Sequence, residues 1–558
     1  MNQNRFRFLP ACLIALCLAV PAAQAAGKLA PELENAAPGS VKVIVQYRNA
    51  PRLDLIRLVN GVVSQVFAAT NMLSATLPVS GLPTLVNDPE VVYISPDRNL
   101  KATLDIAAGA IGATSATYQG LTGAGVTVAV IDSGIDNHRD LQGRVVYQES
   151  FTSGLPVLGL PLGNEDRYGH GTVVAGILGG SGSLSSGPSA TRSLRGIAPS
   201  VRLISLKALN DKGAGSDSSV IAAVNRAIQL KDLYGIGVVN MSLGRPIMES
   251  YEFDPLCRAV EAAWRAGLTV VVAAGNGGRD NTGGSQGYGT IQSPGNDPLV
   301  ITVGAMRTMG TVTKNDDLVA TYSSKGPTAI DHFAKPDLVA PGNLIAAPAP
   351  DPNSALAREL PGNFLAKSEY LAGSDPAAKS KDYFRLSGTS MAAPMVSAAA
   401  AILLQREPSL TPDQIKARLM KTASKIYRTQ SSGVDPATGQ AYSAVQDVFS
   451  VGAGYLDIAA ALLNRDLAPG TAHSPQAKYD PATGTAKLLF RPSSVWGGSV
   501  IWSDSVIWAD GLRNDPQGQS VIWADRSSWA DPGGSSVIWA DSVRGTSVIW
   551  ADSGASDN

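Results

Sequence analysis

Four short stretches carry residues that could act together on a carbonyl carbon. "RLSGTSMAAPMVSAAAAILL", residues 385–404, sets Ser390 at the mouth of an almost wholly apolar run. An alcohol is a weak nucleophile until a base takes its proton, and that base needs orienting. Of the four histidines, His332 and His473 lie in polar, turn-rich surroundings, and His138 lies in "DNHRDL", a loop after a strand. His170 stands between two glycines in "DRYGHGTVVAGI". Flanking glycines let the backbone pack closely and leave the imidazole facing a cleft. Asp132 closes the apolar strand "VTVAVID", at the carboxyl edge where catalytic groups gather in open α/β folds. Asn276 closes "VVVAAGN", and its amide can donate to a developing oxyanion. Taken singly, each has a plainer reading: a helix-capping His, a turn-forming Asp, a turn-forming Asn.

Something must hold these residues together. Between about 104 and 465 the near-continuous apolar strands "VTVAVID", "VRLISLKAL", "VVNMSL", "TVVVAAGN" and "LVITVGA" alternate with helical patterns. These are "GHGTVVAGILGG", "SDSSVIAAVNRAIQLKDLYG", capped by Asp217 or Ser218, and "PLCRAVEAAWRAG". Apolar strands with helical crossovers predict an α/β domain around a mostly parallel sheet covered on both faces. Residues 347–380, rich in Pro, Ala, Ser and Asp, read as a surface loop. Upstream, residues 27–103 form a small α+β unit: strand "VKVIVQY", helix "PRLDLIRLVNGVVSQVF", and strands "NMLSATLPV" and "VVYIS".

With 558 residues the chain needs two or three domains. A formal net charge of -1 gives no electrostatic case for nucleic acid or acidic membranes. Arg5 and Arg7 precede "FLPACLIALCLAV" and an Ala23-x-Ala25 pattern, which reads as a secretory leader over 1–25. The apolar run falls short of the roughly 20 residues of a membrane span, so the expectation is a secreted protein (extracellular, periplasmic or cell-surface) with no transmembrane helix. Cys12 and Cys17 lie in the leader, leaving Cys257 as a buried structural thiol without an internal partner.

The last segment differs again. "SVIWSD" once and "SVIWAD" four times recur between 499 and 552, with weaker copies "SSVWGG" and "SSWAD"; the seven tryptophans from Trp496 to Trp550 are spaced by 6, 6, 15, 6, 10 and 11 residues, so no solenoid period is set. Alternating β-branched and aromatic residues ending at Asp predict short strands and turns. So much exposed aromatic surface invites aggregation, which favours docking on the catalytic domain or contact with a partner over a free tail.

The order Asp, His, Asn, Ser is that of the subtilisin triad with its oxyanion asparagine. "VAVIDSGID", "GHGTVVAGI", "AAGN" and "SGTSMAAP" resemble the aspartate, histidine, asparagine and serine motifs of the subtilisin-like serine proteases, or subtilases. "SLG" at 242–244, "PLVITVGA" and "YSSKGP…KPDLVAPG" extend the resemblance over 104–465. One departure is Val173, where the family usually has a second His.

The resemblance implies a three-layer α/β fold and a serine endopeptidase acting on proteins or peptides, with Asp132, His170 and Ser390 catalytic. Asn276 and the Ser390 N–H would form the oxyanion hole, with Pro394 in the first turn of the serine helix. Ser242, Leu243 and Gly244, with Ala274 and Gly275, would border the substrate, and Gln292 would lie near the base of the primary pocket. That pocket would prefer apolar or uncharged side chains. Residues 26–103 would be an inhibitory propeptide, cut near Thr103–Leu104, before a catalytic domain over 104–465 and an extension over 466–558. Asp140 matches one calcium-ligand position, but the loop "GSGSLSSGPSATRSL" has no acidic residue, which weakens that site; no other cofactor is implied. A reading from another class is a non-catalytic surface or adhesion protein on a protease scaffold, binding through the Trp repeats.

Overall fold

The computed structural model describes residues 28–34, 36–97, 99–102, 110–113, 119–152, 165–280, 285–375, 379–425, 430–434, 441–480, 485–491 and 520–522. The leader, the Thr103–Leu104 bond and the repeats other than Ser520–Ile522 lie outside them.

The N-terminal unit contains β1 (Ser40–Tyr47), α1 (Leu53–Leu58), β2 (Val62–Phe67), β3 (Met72–Pro78), α2 (Leu82–Val86) and β4 (Val91–Pro96). Its antiparallel sheet has the order β2-β3-β1-β4. Residues 51–67 do not form the single helix expected. Asn60, at φ 56°, and Gly61 end α1, and the β-branched run that follows joins the sheet. Alternation along β1 divides the faces: Val43 and Val45 enter this unit's own core, while Ile44 packs into the main core.

Beyond it come β5 (Asn99–Ala102), β6 (Thr127–Asp132), β7 (Val145–Ser150), α3 (His170–Gly179), β8 (Arg202–Lys207), β9 (Ala214–Ser216), α4 (Asp217–Tyr234), β10 (Ile236–Met241), β11 (Leu243–Gly244), α5 (Pro255–Arg265), β12 (Thr269–Ala273), β13 (Ile301–Arg307), β14 (Leu318–Val319) and β15 (Leu338–Pro341). The main sheet runs β14-β13-β12-β10-β6-β8-β7, with β15 also on β13, and every pairing but β13–β14 is parallel. Its inner strands are Val- and Ile-rich and buried on both sides, as helical crossovers require, while the edge strand β7 is half-buried. Ser216, one residue before the expected positions, caps α4 by accepting from the Ser219 N–H.

Residues 347–380 are not a plain loop. β16 (Ile345–Pro348), α6 (Ala355–Glu359), β17 (Phe364–Ala366) and β18 (Lys379–Leu386) order this insert into a three-stranded sheet. Leu365, Tyr370 and Tyr383 supply a small core shared with Leu194. These few apolar residues, scattered among polar ones, outweigh the turn-forming composition. Then α7 (Thr389–Arg406) and α8 (Pro412–Thr422) follow. α7 packs on α3 and against β10, β12, β13 and β15. The chain beyond 465 continues on the same body: the Ser474 N–H donates to Pro298 O, and Phe333 bridges to Gln476. The strands Gln476–Asp480, Thr485–Leu489 and Ser520–Ile522 pair in that order.

Candidate active site

β6 delivers Asp132 to the carboxyl edge of the sheet, and α3 opens on His170. His170 Nδ1 lies 2.7 Å from Asp132 Oδ1, with both side chains at most 1% exposed. The Ser133 N–H donates to the same oxygen at 2.7 Å. Close approach of the two loops depends on Gly171, where a Cβ would stand 2.1 Å from Gly134 O.

One residue that the motifs did not single out joins these loops. Asp166 is fully buried. Its Oδ1 accepts from Ser133 Oγ and the Gly169 N–H, its Oδ2 from the Thr172 N–H and Oγ1, all at 2.7 Å. Burial pushes this carboxyl up, and the four donors pull it back. The net shift is upward. Its trace in the sequence is an acid four residues before His170.

Ser390 is the second residue of α7, after Gly388 at φ 147°. Pro394 is the sixth, deeper in the helix than expected. A proline there cannot donate to the carbonyl four residues back, which is that of Ser390. Ser242 Oγ donates to that carbonyl instead, at 2.8 Å, and the Ser390 hydroxyl reaches back to Ser242 O at 3.3 Å. Asn240 Nδ2 supports Ser242 Oγ at 3.1 Å.

Asn276 is half-buried beside the start of α7. Its Oδ1 accepts from the Thr389 N–H at 3.0 Å and Thr389 Oγ1 at 3.1 Å. With the oxygen engaged, Nδ2 is the end able to donate to a substrate. Gln292 lies between the two walls: a Cβ on Gly244 would fall 2.8 Å from its Oε1, and one on Gly275 2.8 Å from its Cγ. The Gln292 N–H donates to Ala274 O at 3.0 Å. The Ser242–Gly244 edge already carries a strand, because β5 runs antiparallel between β11 and β9.

Asp140 tests the calcium position. Ser183 Oγ and the Leu184 N–H donate to its Oδ1 at 2.7 and 3.1 Å, and the Tyr383 hydroxyl donates to Oδ2 at 2.6 Å. Neutral donors fill this buried carboxylate, and among the described residues no three His, Cys, Asp or Glu side chains group to hold a metal. The residues here do not fit calcium, which takes six to eight oxygens. Cys257 is buried, its Sγ donating to Asn296 Oδ1 at 3.2 Å, and burial raises its pKa, so it is no nucleophile.

A buried aspartate–histidine pair, with a serine opening a helix at the edge of a mostly parallel α/β sheet, defines a serine endopeptidase of the subtilisin type. The family model of the subtilase family matches residues 123–452, and the chain belongs to that family. It is 39% identical over 377 residues to the serine protease AprX of Bacillus subtilis (strain 168), covering 66% of this chain and 77% of that one. It is 34% identical over 317 residues to subtilisin DY of Bacillus licheniformis, covering 57% and 90%. In fold it is similar to fervidolysin from Fervidobacterium pennivorans, a keratinolytic enzyme related to subtilisin. That match has a TM-score of 0.58 at 22% identity, over 79% of this chain and 64% of that one.

Proposed function

We propose that the protein is a secreted, self-processing peptidase in which Asp132, His170 and Ser390 form the triad. Ser390 Oγ attacks the scissile carbonyl while His170 Nε2 takes its proton. Asp132 holds the Nδ1–H tautomer and stabilises the imidazolium. The Ser390 N–H, at the positive end of α7, and Asn276 Nδ2 receive the oxyanion. His170 then protonates the leaving amine, and water releases the acyl group by the same route. Losing the Asn276 donor lowers kcat by about 10²–10³, on the scale measured for a related subtilisin. The observation that carries this reading is the buried 2.7 Å contact between Asp132 and His170, because an imidazole so held is oriented to act as a base.

Substrate binds as an extended strand on Ser242–Gly244, with Ala274 and Gly275 opposite and Gln292 at the base of a pocket for uncharged side chains. The pairing of β5 on this edge supports the N-terminal unit as an inhibitory propeptide whose last strand occupies the substrate's place. The pairing of Ser520–Ile522 with residues 486–488 supports the repeats as strands added to the catalytic body.

The test is Ser390→Ala. The variant should leave casein intact and be recovered with residues 26–103 still attached. A well-folded variant that cleaves casein at the wild-type rate overturns the assignment.

A further inference from the structure

Arg245 follows the Ser242–Gly244 edge, and its side chain is buried among three carboxylates. Nε donates to Asp217 Oδ1 at 2.9 Å and Nη2 to Asp217 Oδ2 at 3.2 Å. The same Nη2 donates to Asp254 Oδ1 at 2.8 Å and stands 3.9 Å from Glu249 Oε1. Nη1 donates to Pro246 O at 3.1 Å. The Arg245 side chain is 1% exposed, and those of Asp217 and Asp254 are wholly buried. Burial works against the guanidinium charge, but Asp217 and Asp254 outweigh it and raise the pKa.

The two main partners sit on rigid elements. Asp217 is the first residue of α4, which runs for 18 residues. Asp254 is the N-cap of α5, and its Oδ1 also accepts from the Leu256 N–H at 2.9 Å. One guanidinium thus ties the starts of two helices to the residue after Gly244. The Arg245 main chain is tied elsewhere. Its N–H donates to Ser293 O at 3.0 Å, and its carbonyl accepts from the Ser293 N–H at 2.8 Å. Ser293 follows Gln292, so these two bonds join the edge to the pocket segment without using the side chain. At the other end of the edge, the Ser242 hydroxyl is bonded to Ser390 O. Strand β5 shows how a chain lies here: Ala102 is opposite Leu243, and Lys101, one residue upstream, is opposite Gly244.

We propose that Arg245 is a positioning residue for extended substrates, its guanidinium fixing the direction in which the Ser242–Gly244 edge leaves the active site. The proposal rests on the reading of that edge as the substrate's partner strand. Backbone hydrogen bonds along an edge must stay in register. With Ser242 held at Ser390, a swing of the Gly244 end disturbs upstream substrate residues and spares the residue at the scissile bond. A guanidinium meets one carboxylate with two donors and a second carboxylate at once, which a lysine ammonium, a point charge, does not reproduce.

The test is Arg245→Lys, which keeps the charge and loses the fork, measured as processed enzyme on two p-nitroanilides. For the blocked tetrapeptide Ala-Ala-Pro-Phe, KM should rise about tenfold with kcat within about threefold. For blocked Phe alone, kcat/KM should change by less than about twofold. A merely structural role lowers the amount of active enzyme and so lowers both substrates alike. Should Arg245→Lys fail to fold, Asp254→Asn keeps a capping oxygen for α5, removes one charged arm, and should raise KM for the tetrapeptide by about threefold with the same split. Equal losses on the two substrates, or an unchanged KM for the tetrapeptide, overturn the proposal. A parent enzyme that gains nothing from the upstream residues overturns the partner-strand reading, and the proposal with it.

Discussion

Asp166→Asn is nearly isosteric yet should be severe. Each carboxylate oxygen of Asp166 accepts one backbone N–H, from Gly169 or Thr172, and one hydroxyl. The hydroxyls of Ser133 and Thr172 can rotate to accept from an amide, but the backbone donors cannot. Whichever way Asn is turned, its NH2 meets one fixed N–H. A charge-assisted bond is lost, about 1.5–3 kcal/mol, and a buried donor is left unpaired, about 1–3 kcal/mol. With partial relaxation the cost is about 3–5 kcal/mol. Gly169 and Thr172 flank His170, so the imidazole shifts as well, and a displacement near 1 Å lowers kcat by about 10² with little change in KM. Thermal unfolding in the Ser390→Ala background measures the first effect, and hydrolysis of a chromogenic peptide the second. A variant within about 1 kcal/mol of the parent and within about threefold in kcat refutes the reasoning.

Two further outcomes follow from buried groups. His473 packs edge-on against Phe333 and Tyr251, and burial lowers it to about 3. Its folded pKa lies below the unfolded value near 6.5, so stability is full above pH 6.5 and falls as pH drops toward 3, by roughly 3 kcal/mol by pH 4. His473→Phe should keep the ring packing and flatten this part of the Tm–pH curve; an unchanged curve counts against it. Tyr383→Phe removes a donor from Asp140 and should cost about 1.5–3 kcal/mol. Calcium should not restore the loss, and unfolding scans with calcium and with EDTA would settle this.

The site was more legible in the sequence than the frame that supports it. Asp132, His170, Asn276 and Ser390 lie in short motifs whose residues are dictated by backbone geometry, such as Gly171 against Gly134, so local letters carry them. Asp166 was missed because its role rests on donors from two loops, and a lone acid before a glycine reads as a turn. The insert read as a loop because Leu365, Tyr370 and Tyr383 reveal a core only when Leu194, far away in sequence, is beside them. Residues 51–67 read as one helix by their apolar periodicity, and the Asn60–Gly61 pair inside them is where that helix stops. Pro394 looks harmless when counted in the first helical turn, and the carbonyl it releases shows only in three dimensions.

That released carbonyl has a mechanical consequence. The Ser242 hydroxyl grips the peptide group of Ser390 itself, so the rail along which a polypeptide would lie and the attacking atom share one anchor. On the proposed reading, sliding of that edge would pull on Ser390, and alignment would be set before any polypeptide arrives. A residue that weakens the helix by one bond thus ties the Ser390 peptide group to Ser242.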